Sequence, residues 1–187
     1  MPRMGLDAAR VVDVAATIAD ADGLGAVTLA RVANELGVRA PSLYNHVDGR
    51  DGLQRAIALR AVRDLTDVLR DAAVGRSGAD ALTAAARAYR AYALAHPGRY
   101  AATVTAPSAD DTEHLAAAKE TVDVVLAILR QWDLEGDDAV HAARAFRSAI
   151  HGFVALEAAG GFGIPVDVDT SFERLVATLA GGLATGR

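Results

Sequence analysis

Residues 28–47 read TLARVANELGVRAPSLYNHV, and the fold turns on how this stretch is read. Leu29, Val32, Ala33 and Leu36 recur at i, i+3, i+4 and i+7, one apolar face of a helix. Thr28 is placed to cap that helix, because its hydroxyl can accept an otherwise unpaired backbone N–H. Gly37 follows the last periodic residue, where a left-handed C-cap needs no Cβ. Val38 turns back into the core. Pro41 then falls in the first turn of a second helix, where its missing N–H costs nothing. That second helix spans only about seven residues and cannot stand alone in water. At roughly 100° per residue, Leu43 and Val47 share its buried side, and Pro41, Ser42 and Asn45 face outward. Tyr44 and His46 are expected on the two flanks.

Such an outward edge suits a DNA major groove. Asn can bond both edges of an adenine, small residues allow close approach, and Tyr and His can reach phosphate oxygens. The competing reading is a solvated helix on the surface of an all-helical protein, since short helix pairs are common.

The stretch 28–47, with Asp48-Gly49-Arg50-Asp51-Gly52-Leu53 after it, resembles the N-terminal domain of the TetR family of bacterial transcriptional repressors. The shared features are Leu36-Gly37-Val38, then Leu43-Tyr44-Asn45-His46, then a turn with a basic residue, Arg50, opening the next helix. The resemblance covers about fifty residues. It implies a helix-turn-helix domain over 1–50 and a domain for ligand binding and dimerisation over 51–187. It carries the DNA-contacting role to Ser42, Tyr44, Asn45 and His46, with Arg50 where the family usually has a phosphate-contacting Lys. Thr28, Arg31, Arg39, Ala40 and Pro41 complete the expected DNA-facing set. Arg39 stands where a capping Ser or Thr is common, and Asp48 and Asp51 bring negative charge beside Arg50.

Composition bounds the rest. At 187 residues, 52% hydrophobic and 23% charged, the chain has the make-up of a soluble globular protein able to bury a core. No alternating β-branched run predicts a strand. With no cysteine, disulfides, thiolate zinc sites and cysteine catalysis are excluded. No apolar run is long enough for a signal sequence or a membrane span, so a cytoplasmic protein is expected. The net charge of −5 argues against indiscriminate coating of nucleic acid. Residues 1–60 balance seven Arg against seven Asp and Glu, while 61–187 set twelve Lys and Arg against seventeen acids. Binding to DNA therefore rests on the local placement of Arg3, Arg31, Arg39 and Arg50.

Outward from the central stretch, helices are expected at 7–22, 51–73 and 80–95. Asp7 caps the first and Asp80 the third. A short turn at His96-Pro97-Gly98-Arg99-Tyr100 follows. Further helices run from Asp110 or Asp111 to Trp132, from about 137 to 159, and from an Asp169 cap to the end. The prediction is an all-α protein of about nine helices. The last two are apolar over a wide arc and rich in Ala and Gly, which means burial on two sides. Either they fill the centre of a monomeric bundle or they pair with a second copy. The resemblance favours a homodimer built through these two helices. The segments 96–100, 150–153 and 160–166 also resemble one C-terminal subtype of the family.

The five histidines show no metal-ligand spacing, no Ser lies in a nucleophile elbow, and the Gly160-Gly161-Phe162-Gly163 run opens no phosphate loop. No cofactor, metal or catalytic activity is expected. A pocket for a small, apolar effector is expected instead, with Tyr92, Tyr100, Phe146 and His151 as aromatic walls and polar tips. The expected function is a ligand-responsive, homodimeric repressor on a palindromic double-stranded DNA operator. The alternative is a helical ligand-binding or interaction protein without operator binding.

Overall fold

The computed structural model describes residues 6–185, and Arg3 lies outside them. Among the described residues there are eight α-helices, three 3-10 segments and no strand. The α-helices are α1 (Ala8–Asp22), α2 (Leu29–Leu36), α3 (Gly49–Ala73), α4 (Gly78–Ala95), α5 (Pro97–Ala102), α6 (Thr112–Leu129), α7 (Gly136–Ala158) and α8 (Val168–Thr185). The 3-10 segments are Leu24–Ala26, Ala40–Asn45 and Arg130–Trp132. Counting Ala40–Asn45 as the second helix of the helix-turn-helix gives the expected nine. No helix among the described residues is long and apolar enough to cross a membrane.

Caps set several of these boundaries. Asp7 accepts the Arg10 N–H at 2.8 Å, and Thr28 accepts the Arg31 N–H at 3.2 Å. Asp111 accepts the His114 N–H at 3.1 Å at the start of α6. Arg55 also grips Asp111 through two nitrogens, which holds its carboxyl down at about 2. Two expected caps are corrected. α4 begins at Gly78, so Asp80 lies inside its first turn and faces Arg76 at 3.6 Å. α8 is capped by Asp167, whose carboxylate accepts the Thr170 N–H at 2.6 Å; the Thr170 hydroxyl first, and this N–H with it, hold its pKa below the ordinary value. Asp169 sits in the first turn and pairs with Arg90 at 2.7 Å instead.

The chain divides into two compact units. The first takes the described residues up to Val62 together with Ala95–His114. Its core joins Val11, Ala15 and Ile18 of α1, Val32 and Ala33 of α2, Leu43 and Val47, and Leu53 and Ile57 of α3. Against α1 lies α5, so closely that a Cβ on Gly98 would stand 1.9 Å from the Ala19 carbonyl oxygen. Asp20 fixes the approach by accepting the Arg99 backbone N–H at 2.8 Å and its Nε at 2.7 Å.

The second unit takes Arg63–Leu94 and the described residues from Leu115 on. Arg90 of α4 is its polar hub. Its Nε donates to Glu157 of α7 at 2.7 Å, and its guanidinium stacks 4.8 Å from the Phe172 ring of α8. One cation thereby ties three helices, and the carboxylates around it raise its pKa above the ordinary value.

Candidate nucleic-acid interface

The helix-turn-helix is built as its local chemistry demands. α2 ends at Gly37, which is left-handed at φ 65° and ψ 31° and whose N–H reaches back to the Asn34 carbonyl at 3.1 Å. Val38 sends its N–H back to the Ala33 carbonyl at 2.9 Å, and Arg39 then runs extended into the second helix. That helix, Ala40–Asn45, is 3-10 rather than α. Its entry offers a reason: Arg39, at the cap position, makes no side-chain capping bond. The free N–H groups of the first turn are then met by the backbone itself, Ser42 N–H donating to the Arg39 carbonyl at 2.9 Å. The same pattern recurs at the end, His46 N–H to the Leu43 carbonyl at 2.9 Å.

The tighter winding changes which side chains face outward. With three residues per turn, positions i and i+3 eclipse. Pro41 and Tyr44 therefore form one edge, Ser42 and Asn45 a second, and Leu43 and His46 the third. Leu43 is fully buried, Val47 nearly so, and Pro41, Ser42 and Asn45 are exposed as expected. Tyr44, expected on a flank, is instead 62% exposed and stands fully outward. His46, expected on the other flank, is half-buried, as its place above Leu43 requires.

The cations differ in their commitments. Arg31 is half-buried and paired with Asp22 at the end of α1. Arg39 and Arg50 are exposed and form no ion pair with any described residue, and the exposed Asp48 and Asp51 flank Arg50 in sequence. Thr28 is exposed, its oxygen committed to the α2 cap, and Ala40 is half-buried.

The four residues expected to line an effector pocket are distributed differently. Tyr100 belongs to the first unit; Tyr92, Phe146 and His151 belong to the second. Tyr92, Tyr100 and Phe146 are buried and His151 is half-buried. Phe146 packs at 6.5 Å, centroid to centroid, against Tyr89, a residue the sequence did not single out. A cleft of about 470 Å³ does open in the second unit, and none of the four lines it.

Comparison with known proteins agrees with this architecture. Residues 82–179 match the model of the tetracyclin repressor-like C-terminal domain. The chain is 40% identical over 174 residues to the HTH-type transcriptional regulator Rv0681 of Mycobacterium tuberculosis, covering 92% of this chain and 79% of that one. It is 34% identical over 183 residues to the HTH-type transcriptional regulator YobS of Bacillus subtilis, covering 97% and 95%. A solved structure of a protein of unknown function from Rhodococcus sp. RHA1 superposes with a TM-score of 0.82 at 27% identity, covering 99% of this chain and 100% of that one. With a helix-turn-helix in its first unit, a match to a repressor-type C-terminal domain over 82–179 and regulators as relatives over most of its length, this chain belongs to the TetR family of HTH-type transcriptional regulators.

Proposed function

We propose that the chain is a cytoplasmic, homodimeric repressor that binds a palindromic operator through the Ala40–Asn45 helix and responds to a small-molecule effector. DNA binding is assigned to residues 1–50, and effector binding and dimerisation to 51–187. The observation that carries the reading is the exposure of Tyr44 beside Ser42 and Asn45, on a helix anchored through the buried Leu43 and Val47. An aromatic ring, a hydroxyl and an amide held outward on a braced rod can follow a major groove and read base edges. Asn45 is assigned to base contact. Tyr44, His46, Arg39 and Arg50 are assigned to phosphates, with Thr28, Arg31, Ala40 and Pro41 shaping the approach.

Dimerisation through α7 and α8 is supported by what the chain leaves uncovered. Ala145, Ser148, Gly152 and Ala155 of α7 are exposed at intervals of three and four, as are Ala177, Gly181 and Ala184 of α8. Nothing lies within 4 Å of where a Cβ would stand on Gly152 or Gly181. Two such stripes of small side chains let helices of a second copy approach closely. Two recognition helices would then enter successive major grooves, roughly 34 Å apart. The effector acts by binding one arrangement of the dimer better than the other and shifts the equilibrium by that difference alone. Tyr92, Tyr100, Phe146 and His151 remain its proposed contacts, with an apolar compound as the class.

A mobility-shift titration on the DNA upstream of the chain's own coding sequence tests the reading. The wild type should bind, and Tyr44→Ala with Asn45→Ala should bind about tenfold to a hundredfold more weakly. Undiminished binding by that double variant would remove the assignment. The second reading, a helical ligand-binding or interaction protein without operator binding, has the exposed Asp48 and Asp51 beside Arg50 in its favour. It predicts no shift with either protein.

A further inference from the structure

The cleft of the second unit has a chemistry of its own. Its walls come from the C-terminal end of α3, the turn 76–78 that leads into α4, and the C-terminal end of α6 with the 3-10 segment after it. Ala73, Val74, Ala81, Val124, Ala127 and Ile128 supply an apolar floor. Val74 is 70% exposed although it belongs to a chain with large apolar side chains mostly inside. Arg70, Arg76 and Arg130 supply the polar rim with Ser77 and Gln131, and no acidic residue lines the cleft. The cleft volume of about 470 Å³ falls in the range of small-molecule sites, roughly 300–1,000 Å³.

The three arginines are not equally engaged. Arg70 is hydrogen-bonded to Asp67 at 2.6 Å, on its own helix. Arg76 donates to the Ala72 carbonyl at 2.8 Å and faces Asp80 at 3.6 Å. Both acids are largely exposed, so these pairs are weak and exchangeable. Arg130 is exposed and has no ion pair with any described residue. Arginine is also the side chain best shaped to hold a carboxylate through two parallel bonds. A neutral apolar compound would use the floor and leave the rim unused. A small inorganic anion would use the rim and leave the floor wet.

From the apolar floor and the arginine rim together, we infer that this cleft binds a free single-chain amphiphilic carboxylate, its head on Arg130 and Arg76 and its chain along Val74, Ala127 and Ile128. The site is separate from the four residues proposed above for the effector, and the inference does not depend on operator binding. Its occupant would touch α3, whose opening residues belong to the helix-turn-helix unit.

The chain provides its own reporter. Trp132, its one tryptophan, closes the 3-10 segment whose first two residues, Arg130 and Gln131, line the cleft. Decanoate is titrated into the full chain while Trp132 fluorescence and calorimetric heat are followed, with decanol and acetate as paired probes. Saturable decanoate binding is expected, with decanol and acetate each at least about tenfold weaker. Arg130→Gln with Arg76→Gln should weaken decanoate about tenfold and leave decanol unchanged. Ala127→Phe, which fills the floor from an exposed position, should weaken decanoate as well, and circular dichroism checks that each variant is folded. Equal affinity for decanoate and decanol, decanoate binding indifferent to all three substitutions, or no binding in the low millimolar range would each overturn the inference. Loss of operator binding in the mobility-shift assay would leave it standing.

Discussion

The helix Ala40–Asn45 and the helix Pro97–Ala102 are alike on paper. Each has six residues, a proline at its start and a single tyrosine. Their fates are opposite. In the first, Tyr44 is 62% exposed and the winding is 3-10; in the second, Tyr100 is only 7% exposed and the winding is α. Neither length nor the opening proline separates them. The difference lies in what each lies against. Ala40–Asn45 sends one eclipsed edge, headed by Leu43, into the core and leaves two edges out. Pro97–Ala102 is pressed onto α1 at Gly98, locked there by Asp20 on Arg99, and buries its tyrosine. A short helix in this unit is thus either a presenter or an anchor, and substitutions should tell the two apart.

The largest effect is expected at the anchor. Tyr100→Ala removes a buried aromatic ring and should cost about 3–5 kcal/mol of stability. Urea unfolding at fixed chain concentration, as the proposed dimer requires, measures it. A cost near zero would mean that α5 is held by Asp20 and the Gly98 contact alone. Within the anchor, Gly98→Ala should follow, at roughly 1–3 kcal/mol. Its added methyl meets backbone, the Ala19 carbonyl, and not the yielding end of a side chain. If Gly98→Ala proved neutral, α5 would have to slide along α1 easily, and the distinction between anchor and presenter would blur.

How far the sequence reveals these roles follows from how local each signal is. Asp7, Thr28 and Asp111 could be read as caps because a cap needs only a side chain and an N–H two or three residues on. The same rule misplaced two caps, Asp80 and Asp169, because α4 opens on Gly78 and because a second acid, Asp167, precedes Asp169. The winding of Ala40–Asn45 was not legible, since seven residues cannot distinguish a period of 3.6 from one of 3.0. That distinction decided the placement of Tyr44 and His46. The tight approach of Gly98 to α1 and the cleft of the second unit are still less accessible. Both join segments far apart in the chain: Gly98 with Ala19, and Arg76 with Arg130.

The presenter should yield the smallest change in stability and the sharpest separation of stability from function. Tyr44 covers no core, so Tyr44→Ala should alter unfolding free energy by no more than about 0.5 kcal/mol. Leu43, one residue earlier and fully buried, should cost about 2–5 kcal/mol on truncation to Ala, because its edge braces the helix. A protein that has lost Tyr44 alone is therefore as stable as the wild type, and any loss of operator affinity belongs to the contact and not to the fold. If Tyr44→Ala instead lowers stability by a kilocalorie or more, the ring is packing on something, and the helix is an anchor like its counterpart at Pro97–Ala102. Stability held with DNA affinity reduced is the combination that only a presenter can give.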